Sequence, residues 1–90
     1  MDRQEYYSTN GILTSETILD VTSSLSKPSN NGEIICDGVG NILVYFSFDG
    51  KNYGDGILIK QYEFLEYKDQ QVRLIKLVPV NDSSYRVNAY

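Results

Sequence analysis

The chain carries twelve carboxylates, eight tyrosines, a single cysteine and no histidine. Without histidine, Ser-His and Cys-His nucleophile pairs are out of reach, and so is the commonest nitrogen ligand for metals. One cysteine and no histidine also fall short of a structural zinc site. Most of the carboxylates lie in turns or at strand ends. No pair is spaced so that its members would hold opposed protonation states. Glu63 and Glu66, three apart on a predicted strand, point to opposite faces. The sequence therefore predicts no catalytic residue, no cofactor and no enzyme.

Asp49-Gly50-Lys51-Asn52-Tyr53-Gly54-Asp55 is the stretch to test for calcium. An EF-hand loop needs oxygen side chains at its first, third and fifth positions, glycine at the sixth and glutamate at the twelfth. Counting from Asp49, those positions hold Asp49, Lys51, Tyr53, Gly54 and Lys60, so only the first and sixth fit. An irregular site on Asp49, Asn52 and Asp55 stays open, against the favoured reading of a plain hairpin loop that needs glycine for its turn. The glycines are no phosphate cradle either. No Gly-Lys-Ser or Gly-Lys-Thr follows, no helix is predicted after them, and the loop carries two acids. No metal is expected. Cys36, in the run Ile34-Ile35-Cys36, reads as a small buried hydrophobe and not as a reactive thiol.

Tyrosine offers large rigid area with one polar tip, which suits sugar stacking and protein interfaces. Tyr45, Tyr53, Tyr62, Tyr67 and Tyr85 are expected to complete the rim of a small β core. Tyr6 and Tyr7 stand in an otherwise polar arm with no local core to join, so they are the candidate interface residues. They either dock on a neighbouring subunit or pack back on their own sheet.

Ninety residues make one small domain whose core is modest, and association is a common remedy at that size. A net charge of −4 with scattered Lys and Arg disfavours a nucleic-acid or anionic-membrane partner. No apolar run is long enough to cross a membrane as a helix. The N-terminus lacks the pattern of a secretory signal, so the chain is expected in a cytoplasm. By the same token Asn81-Asp82-Ser83 reads as a turn and not as a glycosylation acceptor.

Positioning falls to β structure. Ile42, Val44, Phe46 and Phe48 share one face of the most strand-like run, residues 41–50, and Leu43, Tyr45, Ser47 and Asp49 share the other. A strand is favoured over a short helix at residues 16–21, strands are predicted at 33–37, 57–59, 72–80 and 85–90, and residues 62–67 either extend the 57–59 strand or form another, with turn residues every eight to twelve positions. Residues 22–32 contain Pro28 and read as a surface loop. Residues 1–10 read as an N-terminal arm, flexible or interface-forming, and residues 11–90 as a single β domain. The predicted fold is all-β: a small antiparallel β-sandwich, jelly-roll-like, of about six to eight short strands.

These pieces, taken in order, resemble small β-sandwich virion proteins of tailed bacteriophages. Ile18 to Ser23 matches a Thr/Ser-rich opening strand, Lys27 to Gly32 a Pro-Asn-Gly turn, and Ile42 to Gly50 a strand ending in Asp-Gly. Tyr53-Gly54, Ile57 to Ile59, Glu63, Ile75 to Leu77 and Tyr85 to Val87 follow in the same plan. The likeness covers about three quarters of the chain. It implies a structural head-decoration, head-fibre or tail-associated protein that forms homo-oligomers and contacts capsid or tail. It would reside in the virion, and in the host cytoplasm before assembly. The resemblance carries over no catalytic residue. A carbohydrate- or receptor-binding module, using tyrosines and loop Asn and Asp groups, is the alternative.

Overall fold

Alternation of apolar and polar residues drives the chain into eight strands, because successive side chains of a strand point to opposite faces. The computed structural model describes residues 6–90. In chain order the strands are β1 (Tyr7–Leu13), β2 (Thr17–Asp20), β3 (Gly32–Cys36), β4 (Ile42–Ser47), β5 (Ile57–Ile59), β6 (Phe64–Tyr67), β7 (Leu74–Pro79) and β8 (Ser83–Ala89). One short helix, α1 (Val21–Leu25), follows β2. All pairings between strands are antiparallel.

The strands form two four-stranded sheets, one ordered β1-β8-β3-β6 and the other β2-β7-β4-β5. Successive strands alternate between the sheets, except for the β4–β5 hairpin. That order is the jelly roll, and the all-β sandwich expected from the sequence is what the chain forms. The inner face of the first sheet contributes Ile34, Cys36, Val87 and Ala89, all fully buried. Against them the second sheet sets Ile42, Val44, Ile75 and Leu77, also fully buried. Each such aliphatic side chain contributes about 1.5–3 kcal/mol relative to exposure.

Several local expectations give way. Tyr7–Asn10, assigned to an arm, form the first half of β1 in register with β8. Met1–Glu5 of that arm lie outside the described residues. Val21, placed at the end of a strand, begins α1, where Asp20 caps the helix by accepting from Ser23 N at 3.0 Å. The expected surface loop closes one end of the sandwich instead, with Leu25 and Ser29 both fully buried. A polar loop can be buried only if its polar atoms find partners. Here Ser29 exchanges backbone hydrogen bonds with Val72, at 2.7 and 2.8 Å. Its hydroxyl lies 2.7 Å from Tyr67 Oη and 3.1 Å from the Tyr90 carbonyl. Tyr67 donating to Ser29 leaves the serine hydrogen for the carbonyls of Asn31, at 3.0 Å, and Tyr90.

The strand of residues 41–50 also departs from strict alternation at its end. Phe48, expected on the core face, is 48% exposed, while Ser47 on the opposite face is fully buried. The chain turns over Ser47 immediately afterwards. Ser47 Oγ accepts from Gly50 N at 3.0 Å and donates to Asp49 Oδ1 at 3.2 Å, so the loop itself covers it.

Candidate functional site

The Asp49 loop is built as a self-contained turn. Asp49 Oδ1 accepts from the backbone N–H groups of Lys51 and Asn52, both at 2.8 Å, and Oδ2 accepts from Asn52 Nδ2 at 2.9 Å. The hydrogen bonds from Asn52, and then from the Lys51 amide, hold the Asp49 carboxyl well below the usual carboxylate range. Asn52, one of the three residues of the irregular calcium site left open by the sequence, thus uses its side-chain NH2 to hold Asp49. Among the described residues no group of three or more His, Cys, Asp or Glu is placed to hold a metal.

This loop makes stability depend on pH with a defined sign. The fold favours the ionised carboxyl, so its contribution is complete above the ordinary carboxylate range. It is lost as pH falls from there through the depressed native value. The melting-temperature gap between the wild type and Asp49→Ala is expected to stay constant from about pH 7 to 5 and to narrow below about pH 4. A gap that stays constant down to pH 2 would refute this role.

Cys36 is fully buried, and its thiol donates to the Gly40 carbonyl at 3.0 Å. The tyrosines separate into three kinds. Tyr67 and Tyr85 are buried, and Tyr45 and Tyr53 are half-buried with Lys76 Nζ between their rings, 4.6 and 4.4 Å from the centroids. These are the rim positions expected of them. Tyr62 is the exception, at 75% exposed.

Tyr62 lies in the turn that carries the chain from β5, the edge of one sheet, to β6, the edge of the other. Glu63 N donates to the Lys60 carbonyl at 2.9 Å, and Lys60 N donates to Glu63 Oε1 at 2.7 Å. The turn is tied to the end of β3: Tyr62 N donates to the Cys36 carbonyl at 2.7 Å, and Cys36 N donates to the Glu63 carbonyl at 2.9 Å. Closing it this way requires φ of +64° at Tyr62. Glycine ordinarily takes that conformation, and a side chain there costs about 1–2 kcal/mol.

The strained tyrosine borders an open hollow of about 440 Å³ between the two sheet edges. Its walls include Ile57, Leu58, Glu63, Phe64 and Leu65. Phe64 is 59% exposed, and Ile57 and Leu58 are exposed as well. Glu63 is the one charged group in the lining, and one of its carboxylate oxygens is already engaged within the turn. Recognition of a sugar or small metabolite needs several convergent polar groups. An apolar protein surface needs few, with an aromatic anchor at its centre.

Of the two residues singled out in the sequence, Tyr7 packs back against its own core, and burial pushes its phenol pKa up. Tyr6 is exposed, and neither borders the hollow. Tyr62 and Phe64 went unselected. The only sequence signal for Tyr62 is a turn with no glycine or asparagine available for its left-handed position.

No protein-family model and no curated protein sequence matches the chain. Solved structures do. The iron(II) form of HppE superposes with a TM-score of 0.61 at 10% identity, over 94% of this chain and 43% of that one. The Yersinia pseudotuberculosis-derived mitogen YPM gives 0.52 at 11% identity, over 94% of this chain and 84% of that one. WlaRA, a TDP-fucose-3,4-ketoisomerase from Campylobacter jejuni, gives 0.41 at 15% identity, over 100% of this chain and 62% of that one. This chain thus spans less than half the length of HppE. The expectation that the chain is not an enzyme is corrected by the HppE likeness: HppE is an enzyme, and the same jelly roll carries it. A small β-sandwich is therefore no ground for excluding catalysis. At these identities the likeness is one of fold, and it rests on the superpositions with HppE and YPM.

Proposed function

We propose that this chain is a structural virion protein of a tailed phage, binding its own copies and the capsid or tail. The sequence support is the ordered resemblance through Ile42 to Gly50, Tyr53-Gly54 and Tyr85 to Val87. The structural observation that carries the binding role is Tyr62, held outward at a backbone cost beside Phe64 and an apolar hollow. Strain that persists at an exposed aromatic points to a use for that side chain. An interface centred on it would bury the phenol ring and Phe64 against a complementary apolar surface of a capsid or tail protein.

The test separates stability from binding. Tyr62→Gly relieves the left-handed strain and is expected to raise unfolding stability by about 0.5–1 kcal/mol, since glycine gives back part of the gain as unfolded-state entropy. The same variant should weaken binding to purified virions at least tenfold in co-sedimentation, the scale of a lost aromatic anchor. Undiminished virion binding by Tyr62→Gly would remove the hollow as the docking site. No binding by the wild type would remove the virion reading. Binding on a glycan array, lost in Tyr62→Gly, would favour the carbohydrate-binding alternative, in which the exposed rings of Tyr62 and Phe64 form the platform.

A further inference from the structure

A sheet edge exposes a row of unpaired backbone donors and acceptors, and proteins ordinarily guard it. The usual guards are short strands, charged side chains, proline and bulges. Three of the four edge strands here follow that rule. β2 is four residues long and ends on Asp20, β5 has only three residues, and β6 has four with Glu66 among them. β1 does not follow it. Its seven residues, Tyr-Ser-Thr-Asn-Gly-Ile-Leu, include no charge and no proline, and they pair with β8 residue for residue without a bulge. Ile12 on its outer face is 80% exposed. On its inner face Tyr7, Thr9 and Gly11 are only half-buried, as expected where a sandwich rim is left open.

We infer that the β1 edge is where a second copy of this chain pairs, antiparallel and about a two-fold axis at Asn10, extending the first sheet across both copies. This rests on the reading of the protein as one that binds its own copies, and it names how they meet. Charge selects the occupant. Two chains of net charge −4 repel, so they approach best through a strip that carries none. A head-to-tail pairing of β1 on β6 would set Glu66 against a strand with no cation to receive it. The symmetric pairing places Asn10 opposite Asn10, Thr9 opposite Gly11, Ser8 opposite Ile12 and Tyr7 opposite Leu13 of the other copy. Each pair then shares a face, as the pleat requires, and a two-fold contact of this kind closes on itself.

Asn10→Asp tests the edge with little disturbance of the fold, because residue 10 is exposed and lies opposite Arg86 of β8. Across the two-fold the same change sets two carboxylates against each other. The variant is expected to keep the wild-type circular dichroism and melting temperature while its self-dissociation constant, from sedimentation velocity, rises at least tenfold. Asn10→Cys gives the geometry directly. Under mild oxidation it should form a covalent dimer at least ten times faster than Asn52→Cys, with buried Cys36 taking no part. Unchanged association by Asn10→Asp, or no faster cross-linking by Asn10→Cys, overturns the inference. A wild type that stays monomeric overturns it too, and virion co-sedimentation then decides separately whether the proposed function stands.

Discussion

Leu25→Ala is expected to lower unfolding stability by about 3 kcal/mol, measured as the shift in a urea denaturation midpoint. The residue lies in a Thr/Ser-rich stretch that looks like solvent-exposed loop. In the fold its side chain is fully buried at the end of α1, where the helix closes one end of the sandwich. Truncation removes the transfer free energy of the lost methyl groups and leaves a cavity that α1 cannot readily fill. The helix is held by Asp20 at its start, and Ser26, in the left-handed conformation at its end, donates its N–H to the Thr22 carbonyl at 2.8 Å. A domain of this size has about 5–15 kcal/mol of stability in all, so one such cavity removes a large share. Leu58→Ala, on the exposed edge strand, is the comparison and should cost no more than about 1 kcal/mol. Equal losses at the two positions would contradict the burial of Leu25.

Gly40→Ala should cost about 2–3 kcal/mol, through a clash instead of a cavity. A Cβ at Gly40 would press on the backbone carbonyls of Asn81 and Asp82, which belong to the turn between β7 and β8. Backbone atoms there have little room to retreat, because Val80 N donates to the Asn41 carbonyl at 2.9 Å and Asp37 N to the Ser84 carbonyl at 2.9 Å. Gly40 also supplies the carbonyl that accepts from the Cys36 thiol. Gly54→Ala provides the control, since a Cβ at that position meets nothing within 4 Å. Its effect should stay within about 0.5 kcal/mol. Comparable stability of the two alanine variants in the same titration would show that the β3–β4 connection yields.

The two proposed docking surfaces differ in what would hold them ready. At the β5–β6 hollow, a backbone-tied turn holds Tyr62 in its left-handed conformation through hydrogen bonds to the Cys36 end of β3 and between Lys60 and Glu63. At β1 the proposed readiness comes from a long edge with no charge, proline or bulge among the residues Tyr7–Leu13. One variant at each surface, Tyr62→Gly and Asn10→Asp, therefore separates attachment to a virion from association between copies.

Much of the sandwich was legible along the chain. The strand expected at residues 85–90 forms as β8, in which Tyr85, Val87 and Ala89 are buried and Arg86 between them is exposed. Ile42 and Val44 point inward as read, and the turns at Asp49-Gly50 and Asn81-Asp82 fall between strands. Period-two patterning and turn chemistry are local properties, and local properties survive into the fold. What failed was decided at a distance. Ser29 is buried because Val72, Tyr67 and Tyr90, about forty to sixty residues further on, satisfy its polar atoms, and Leu25 because α1 turns it into the common core. Ser47 and Phe48 exchange places because the following loop folds back over the serine. Tyr62 is exposed beside the hollow only because β5 and β6 became the edges of two different sheets, with the end of β3 there to bind the turn between them. The sequence by itself determined that the chain would form short strands and where most of them lie from residue 33 onward, while β1, read as an arm, took shape only by pairing with β8. Sheet order, the closed end and the exposed aromatic edge required tertiary structure, because each depends on residues that meet only after the chain has folded.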